Sequence, residues 1–274
     1  MKKVLTIAGS DCSGGAGIQA DLKAFSAQGV FGMSVITAVT AQNTQGVFAV
    51  EDISREMIGK QIDAIFQDIE VDSVKIGMVS QIASIEIISD KLKQYSPKNV
   101  VLDPVMISKS GFSLLKSNAK QALIEKLLPL SQLITPNLPE AEEILKYALE
   151  KPCKINNIKD MVVAAKEIYK LGPKYVLIKG GHLEGKATDV LFDGEKITYF
   201  DCERINTKNT HGTGCTLSSA IAANMSLGKS INESVKIAKD YVTLAIKHSL
   251  DIGKGVGPTN HFYELYKKAG MKYE

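Results

Sequence analysis

The sequence predicts an α/β fold, a mostly parallel central sheet covered on both faces by helices, and three observations predict it. Short apolar runs alternate with segments of helical period from one end of the chain to the other. Such alternation implies parallel strands joined by helical crossovers, with helices packed above and below the sheet. Late in the chain, Asp193-Gly194 interrupts an apolar run, the signal of a hairpin and therefore of an antiparallel edge. No linker, internal repeat or low-complexity stretch divides the 274 residues, which predicts one domain over 1–274.

The elements follow in order. Val4–Ala8 and Ser34–Val39 are short, β-branched apolar runs and read as strands. Met57–Phe66 carries apolar residues at helical spacing. Strand-like Val74–Ile76 precedes the helical pattern Ile82–Leu92, and Val100–Leu102 precedes Ala119–Leu128. Leu133-Ile134 leads into Ala141–Leu149, then a second helical pattern, Met161–Leu171, and the strand Tyr175–Ile178. The hairpin occupies Asp189–Ile197. Last comes Thr216–Leu227, a small-residue helix closed by Gly228.

Composition narrows the function. Basic residues (33) exceed acidic ones (30) by only three, and no long basic run appears, so no nucleic-acid partner is expected. Cys12, Cys153, Cys202 and Cys215 are far apart with no C-x-x-C, which argues against a disulfide framework or a zinc site and fits a reducing cytoplasm. Asp11 ends the N-terminal apolar run too early for a signal peptide, and nothing approaches the ~20 apolar residues of a membrane span. A soluble cytoplasmic protein is expected.

In sheets of this kind ligands bind beyond the carboxyl ends of the strands, where polar residues and glycines gather in this sequence. In Asn209-Thr210-His211-Gly212-Thr213-Gly214-Cys215, two glycines let the backbone turn tightly at the start of a helix. The amides of residues 212–215 would converge at that N-terminus as an anion hole. Cys215 is its candidate base, and a helix N-terminus is expected to lower a thiol pKa of about 8.5 toward neutrality. The bland alternative is a glycine turn with a buried thiol.

The loop Gly9–Gly17 lacks both the dinucleotide and the P-loop fingerprints. It reads either as a tight connection or as backbone closing over a small flat substrate at Gly9, with Asp21 facing the site from the next helix. Asp103 ends a strand before a proline. Asn137 and Glu140 lie three residues apart at a helix start, offering oxygen ligands for a Mg²⁺ shared with nucleotide phosphates. They are equally a capping box, and the two roles can coexist. His211 suits a structural role in the turn better than that of a base. Met78, Val105 and Met106 are core residues or an apolar wall for an aromatic ring.

Seven segments carry a family resemblance: AGSDCSGGAGIQADLKAFSAQG (8–29), SVITAVTAQNTQGV (34–47), KIGM (75–78), LDPVMISKSG (102–111), LITPNLPEAEEIL (133–145), VLIKGGH (176–182) and NTHGTGCTLSSAIAANMSLG (209–228). They span nearly the whole chain and resemble the hydroxymethylpyrimidine/phosphomethylpyrimidine kinases of thiamine synthesis, within the ribokinase-like superfamily. Lys109-Ser110-Gly111 is similar to these rather than to the related pyridoxal kinases. The resemblance implies a three-layer α/β/α sandwich, commonly dimeric, using ATP and Mg²⁺. It implies two transfers, from 4-amino-5-hydroxymethyl-2-methylpyrimidine to its monophosphate and then to the diphosphate. Gln42 would hydrogen-bond the aminopyrimidine, Met78 and Val105 would pack near its ring, and residues 105–111 would close over it. Asp103 and Glu140 would serve Mg²⁺, Lys179 the nucleotide phosphates, and the amides of Gly212, Thr213, Gly214 and Cys215 the transferring phosphoryl group. No chemistry is assigned to Cys12.

Overall fold

A computed structural model describes residues 1–106, 117–183 and 185–271. Its strands are β1 (Lys3–Asp11), β2 (Phe31–Asn43), β3 (Gly46–Asp52), β4 (Ser73–Ile76), β5 (Val100–Leu102), β6 (Leu133–Ile134), β7 (Tyr175–Ile178), β8 (Asp189–Phe192) and β9 (Ile197–Phe200). The helices are α1 (Gly17–Ala27), α2 (Arg55–Phe66), α3 (Ile82–Tyr95), α4 (Ser117–Ala122), α5 (Leu138–Leu149), α6 (Ile158–Tyr169), α7 (Thr213–Ser226), α8 (Ile231–Lys247) and α9 (Tyr263–Lys268).

Among the described residues nine strands join one sheet in the order β3-β2-β1-β4-β5-β6-β7-β8-β9. From β2 across to β7 every pairing is parallel, while β3 at one edge and the β8–β9 hairpin at the other are antiparallel. The expected late hairpin is therefore present. The opposite edge strand, β3, is absent from the sequence reading. Its residues are half-buried or exposed along its whole length, so no apolar alternation marks it.

Alternation along the strands divides the core. Leu5 and Ile7 face the side covered by α2, α3, α5 and α6, together with buried Val100, Leu102, Val176 and Ile178. Val4, Val101 and Leu177 face the other side, against α1, α7 and α8. The result is a three-layer α/β/α sandwich. The small residues of α7 let it lie close to the sheet, where every residue from Thr216 to Ser226 is buried. Helix α8 was not singled out in the sequence, although Ser230 and Glu233 cap it reciprocally and Val235, Ala238 and Val242 form its buried stripe. The helix expected over Ala119–Leu128 changes character within that span. It is α-helical to Ala122, then makes a π turn over Leu123–Leu127 and a 3₁₀ turn over Leu128–Leu130. Pro129 cannot donate to a continuing α-helix.

Candidate active site

Strand β1 has β2 on one side and β4 on the other, so the chain reverses its winding direction there. The loops after β1 and β4 consequently lead to opposite faces and leave a crevice, the usual ligand site of an open parallel sheet. A cavity of about 470 Å³ occupies this place and runs along the strand ends toward β8. Of the described residues expected at the site from the sequence, all line it except Asp21 and Met106, which is a core residue.

The end nearest β1 and β2 is apolar below and polar at the side. Gly9 leaves β1 with no side chain, and a Cβ there would come within 2.6 Å of the Met78 methyl group. Met78 therefore lies flat against the backbone and, with Val105, forms an apolar wall. Gln42, near the end of β2, supplies the polar edge. Its Oε1 accepts from Thr40 Oγ1 at 3.3 Å, and its Nε2 lies 3.3 Å from His211 Nε2. That ring nitrogen is also 2.8 Å from Asp11 Oδ2. A carboxylate only accepts, so His211 Nε2 carries a hydrogen and donates it to Asp11. Turned end for end, the Gln42 amide accepts from His211 and donates to Thr40 Oγ1, whose own hydrogen goes to the Ser10 carbonyl at 2.9 Å.

Asp11 fastens the glycine loop. It accepts from the backbone N–H groups of Ser13 and Ala16, from Ser13 Oγ and from His211. Burial pushes its carboxyl up, but these hydrogen bonds outweigh burial and hold it down at about 2. His211 thus has the structural role expected of it, joining the β1 loop to the turn before α7.

That turn depends on Gly212, the N-cap of α7, whose φ of +76° lies in the left-handed region. A Cβ there would collide with the Gly15 carbonyl oxygen. No side chain caps α7; Thr213 N–H donates to the Thr210 carbonyl at 3.4 Å, and Gly212, Thr213, Gly214 and Cys215 all line the cavity. Gly214 fixes what stands opposite them: a Cβ on it would lie 3.4 Å from Lys179 Nζ and 3.5 Å from Asp103 Oδ2.

Lys179 follows β7 and Asp103 follows β5, and they form an ion pair of 2.9 Å. Glu140 Oε2 stands 4.0 Å from the same ammonium. Glu140 also completes a capping box at the start of α5: its Oε2 accepts from Asn137 N at 2.8 Å, and its own N–H donates to Asn137 Oδ1 at 2.9 Å. Burial raises the Glu140 carboxyl to about 7. Asp103 adds to the rise, while Lys179 and the N–H groups of Asn137 and Met106 oppose it. Val105 and Met106 begin the flap expected over 105–111, and residues 107–111 lie outside the described residues.

Two expectations need correction. Asp21 does not face the cavity. It is fully buried behind it, bonded to Thr6, Lys75 and Ser219. The Cys215 thiol is not lowered toward neutrality. Burial pushes it up to about 11, with Asp21 and Asp103 adding to the rise, and Lys75 and the Gly17 N–H pulling the other way. A helix N-terminus acts with a fraction of a charge, and desolvation of this half-buried thiol exceeds it here.

The cavity also has residues that the sequence reading missed. Lys75 reaches its floor from inside an apolar strand, a position where a lysine is itself a signal. Toward β8, Lys239 of α8 bonds Asp189 Oδ2 at 2.7 Å and the Ala187 carbonyl at 2.8 Å. Leu217, Val242 and Ile246 make an apolar wall beside them. Arg204 donates to the carbonyls of Gly181, Leu183 and Gly185 and so gathers the loop after β7.

The family model described as phosphomethylpyrimidine kinase matches residues 11–260. The hydroxymethylpyrimidine/phosphomethylpyrimidine kinase of Rhizobium meliloti is 50% identical over 96% of this chain and 98% of its own length. Among solved structures, phosphomethylpyrimidine kinase from Clostridium difficile is 54% identical, with a TM-score of 0.80 over 90% of this chain and all of that one. An ADP complex of Bacillus subtilis pyridoxal kinase is 41% identical, with a TM-score of 0.88 over 97% of this chain and 99% of that one.

Proposed function

The chain belongs to the phosphomethylpyrimidine kinase family, and from that membership we propose that this cavity carries out two successive ATP-dependent transfers in thiamine biosynthesis. The first converts 4-amino-5-hydroxymethyl-2-methylpyrimidine to its monophosphate, and the second extends the monophosphate to the diphosphate. One observation carries the reading. The uncapped N-terminus of α7, Lys179 and Asp103 converge around Gly214, between an apolar slot and a second apolar wall. Phosphoryl transfer needs that arrangement, a charge-stabilised point with one reactant on either side.

The pyrimidine lies against Gly9, Met78 and Val105 with its amino edge toward Gln42. The adenine end of ATP occupies the wall of Leu217, Val242 and Ile246. Lys179 and the amides of residues 212–215 hold the transferring group. In the first transfer the hydroxymethyl oxygen bonds to the γ-phosphorus, the bond from that phosphorus to the bridging oxygen breaks, and ADP leaves. The hydroxyl proton leaves as that bond forms, and Cys215, which burial keeps as a thiol near neutral pH, takes it only in the small fraction present as thiolate. In the second transfer the acceptor is a phosphate already ionised near pH 7, which needs no such base.

The acidic corner suits Mg²⁺. Asp103 and Glu140, both buried, face the single Lys179 ammonium, and with the Glu140 carboxyl raised to about 7 the corner offers hard oxygen donors and a negative charge that grows as that carboxyl ionises. Among the described residues no three acidic, cysteine or histidine side chains form a metal cage. A cation that keeps several waters and takes ligands from phosphate fits such a corner. When bound, Mg²⁺ supplies neutralisation of phosphate charge, with Asp103, Glu140 and Asn137 as the residues that serve it.

Each chain acts as one domain, 1–274, in a cytoplasmic homodimer. The antiparallel edge, where Val39 and Phe48 are exposed, supports the dimer. Among the described residues no helix is long and apolar enough to cross a membrane. Incubation with ATP, Mg²⁺ and the pyrimidine alcohol, followed by product analysis, tests the reading. Diphosphate is the expected product. Accumulation of monophosphate alone rejects the second transfer, and unconsumed alcohol rejects the kinase reading. Likeness to the Bacillus subtilis pyridoxal kinase favours pyridoxal as a second acceptor, measured in the same assay.

A further inference from the structure

A side-chain amide can be turned end for end, which exchanges its donor and its acceptor at little steric cost. A glutamine free to turn accepts two reversed patterns equally well: an amino group beside a ring nitrogen, or a carbonyl beside a ring N–H. Gln42 is not free to turn. Its amide lies between two partners, each 3.3 Å away, Thr40 Oγ1 and His211 Nε2. Both partners have their hydrogens committed to β1. Thr40 Oγ1 gives its one hydrogen to the Ser10 carbonyl at 2.9 Å, and a carbonyl only accepts. Toward Gln42 the Thr40 oxygen is therefore an acceptor. His211 Nε2 gives its hydrogen to Asp11 Oδ2 at 2.8 Å. That carboxylate also accepts from the N–H groups of Ser13 and Ala16, which keep it ionised. A ring nitrogen that carries a hydrogen has no lone pair to offer in the ring plane, so Gln42 meets only a second branch of that N–H.

The two ends agree on one orientation. Gln42 Oε1 belongs beside His211 and its NH₂ beside Thr40. Each atom of the amide then keeps one bonding position, a lone pair on the His211 side and a hydrogen on the Thr40 side, and Gln42 lines the cavity. An aminopyrimidine matches this pattern in one in-plane orientation, with its amino group toward His211 and its ring nitrogen toward Thr40. In 4-amino-5-hydroxymethyl-2-methylpyrimidine the hydroxymethyl group stands next to the amino carbon, on the side away from that nitrogen. It therefore leaves the ring on the His211 side, and His211 immediately precedes Gly212, the N-cap of α7. The reversed amide would send the hydroxymethyl group toward Thr40 and β2 instead.

We propose that His211, held by Asp11, is a positioning residue for the acceptor: it fixes the direction of the Gln42 amide, so that the site selects a 4-aminopyrimidine over its 4-oxo counterpart and turns the hydroxymethyl group toward α7. The proposal takes the acceptor's identity from the kinase reading, but its test does not need turnover.

Isothermal titration calorimetry without ATP compares two alcohols, the 4-amino compound and its 4-oxo analogue, whose C4 oxygen accepts and whose N3 carries a hydrogen. The analogue sets N–H against N–H and oxygen against oxygen, so the parent should bind the amino compound at least roughly 10²-fold more tightly. In His211→Leu the amide can turn, and the ratio of the two dissociation constants should fall about tenfold. His211→Gln, whose own N–H can bond Asp11, should restore the parental ratio. A His211 that only braces the turn would weaken both alcohols together and leave the ratio unchanged. That result, or a parent that does not discriminate, overturns the proposal. If His211→Leu does not fold, Thr40→Val removes the acceptor at the other end of the amide and should lower the same ratio. An unchanged ratio there overturns the proposal as well. Turnover separates the two readings. Selective binding with no phosphorylation would reject the kinase reading and leave the orienting role standing. Phosphorylation of both alcohols with equal kcat/KM would keep the kinase reading and overturn the proposal, and binding of neither alcohol would overturn both.

Discussion

Gln42 meets the cavity with its side-chain amide, held between Thr40 and a His211 ring that donates to Asp11. A donor and an acceptor on one amide match the amino group and ring nitrogen of an aminopyrimidine. Gln42→Leu would leave those ligand groups unpaired, at a cost of about 1–3 kcal/mol. The expected outcome is a pyrimidine KM raised roughly 5- to 150-fold with the ATP KM little changed. An unchanged pyrimidine KM would remove Gln42 from the site. The place of Gln42, Asp103 and Lys179 at strand ends, and of Glu140 at a helix start, was legible in the sequence, while the roles proposed for Gln42 and Lys179 come from the family resemblance. Direction and depth were not legible. Asp21 has the composition of a site carboxylate, but its side chain turns toward Lys75, a residue 54 positions away in the chain. Cys215 has the helix position of an activated thiol, but its pKa is set by burial, which depends on α1 packing across it. Both outcomes depend on tertiary neighbours, and no local pattern encodes them.

At the scale of elements, the turn into α7 joins the two glycine loops. Gly212 holds a left-handed backbone while the Gly15 carbonyl occupies the space where a side chain would begin. Gly212→Ala meets both obstacles at once, about 1–2 kcal/mol of backbone strain together with a collision against main chain. The β1 loop and the α7 amides would have to separate, and loss of one such donor typically costs about 10²–10³ in kcat. Both transfers should fall by at least roughly 10²-fold, with circular dichroism near that of the parent. Parental kcat would show that the amides of this turn hold no transferring group. Elements with a strong period were legible: α2, α3, α5 and α6 lie within a few residues of their apolar patterns. Strand β3 was not, since an edge strand that buries neither face has no pattern to read. The Asn137–Glu140 pair shows the limit of motif reading. The capping box is present, and the same two residues line the cavity, so the spacing alone does not separate a cap from a site.

For the molecule as a whole, the sheet gathers charge from strands far apart in sequence into one cavity. Asp11, Asp103, Glu140, Asp189 and Glu203 line it against Lys75, Lys179, Arg204 and Lys239. Lys75 is already matched by Asp21 behind the wall, and Lys239 by Asp189. Among the described residues that leaves Lys179, which itself faces two carboxylates, and Arg204, whose guanidinium is held by the carbonyls of Gly181, Leu183 and Gly185. Placing several negative charges there without a partner would oppose the field of Asp103 and Glu140 at short range and low dielectric. Helix amides carry only part of a charge and cannot balance it alone. The nucleotide is thus expected to bind as its Mg²⁺ complex, whereas the uncharged pyrimidine alcohol should bind with or without metal. Thermal unfolding separates the two. A ligand at 100 times its Kd stabilises the fold by about 2.7 kcal/mol, roughly 5–10 °C in a chain of this size. ATP with Mg²⁺ should give a shift of that order, and ATP with EDTA only a small part of it. The pyrimidine shift should not respond to EDTA. Equal ATP shifts in the two conditions would mean that the acidic corner does not act on the nucleotide, and Asp103 and Glu140 would then be left to Lys179 and the capping of α5.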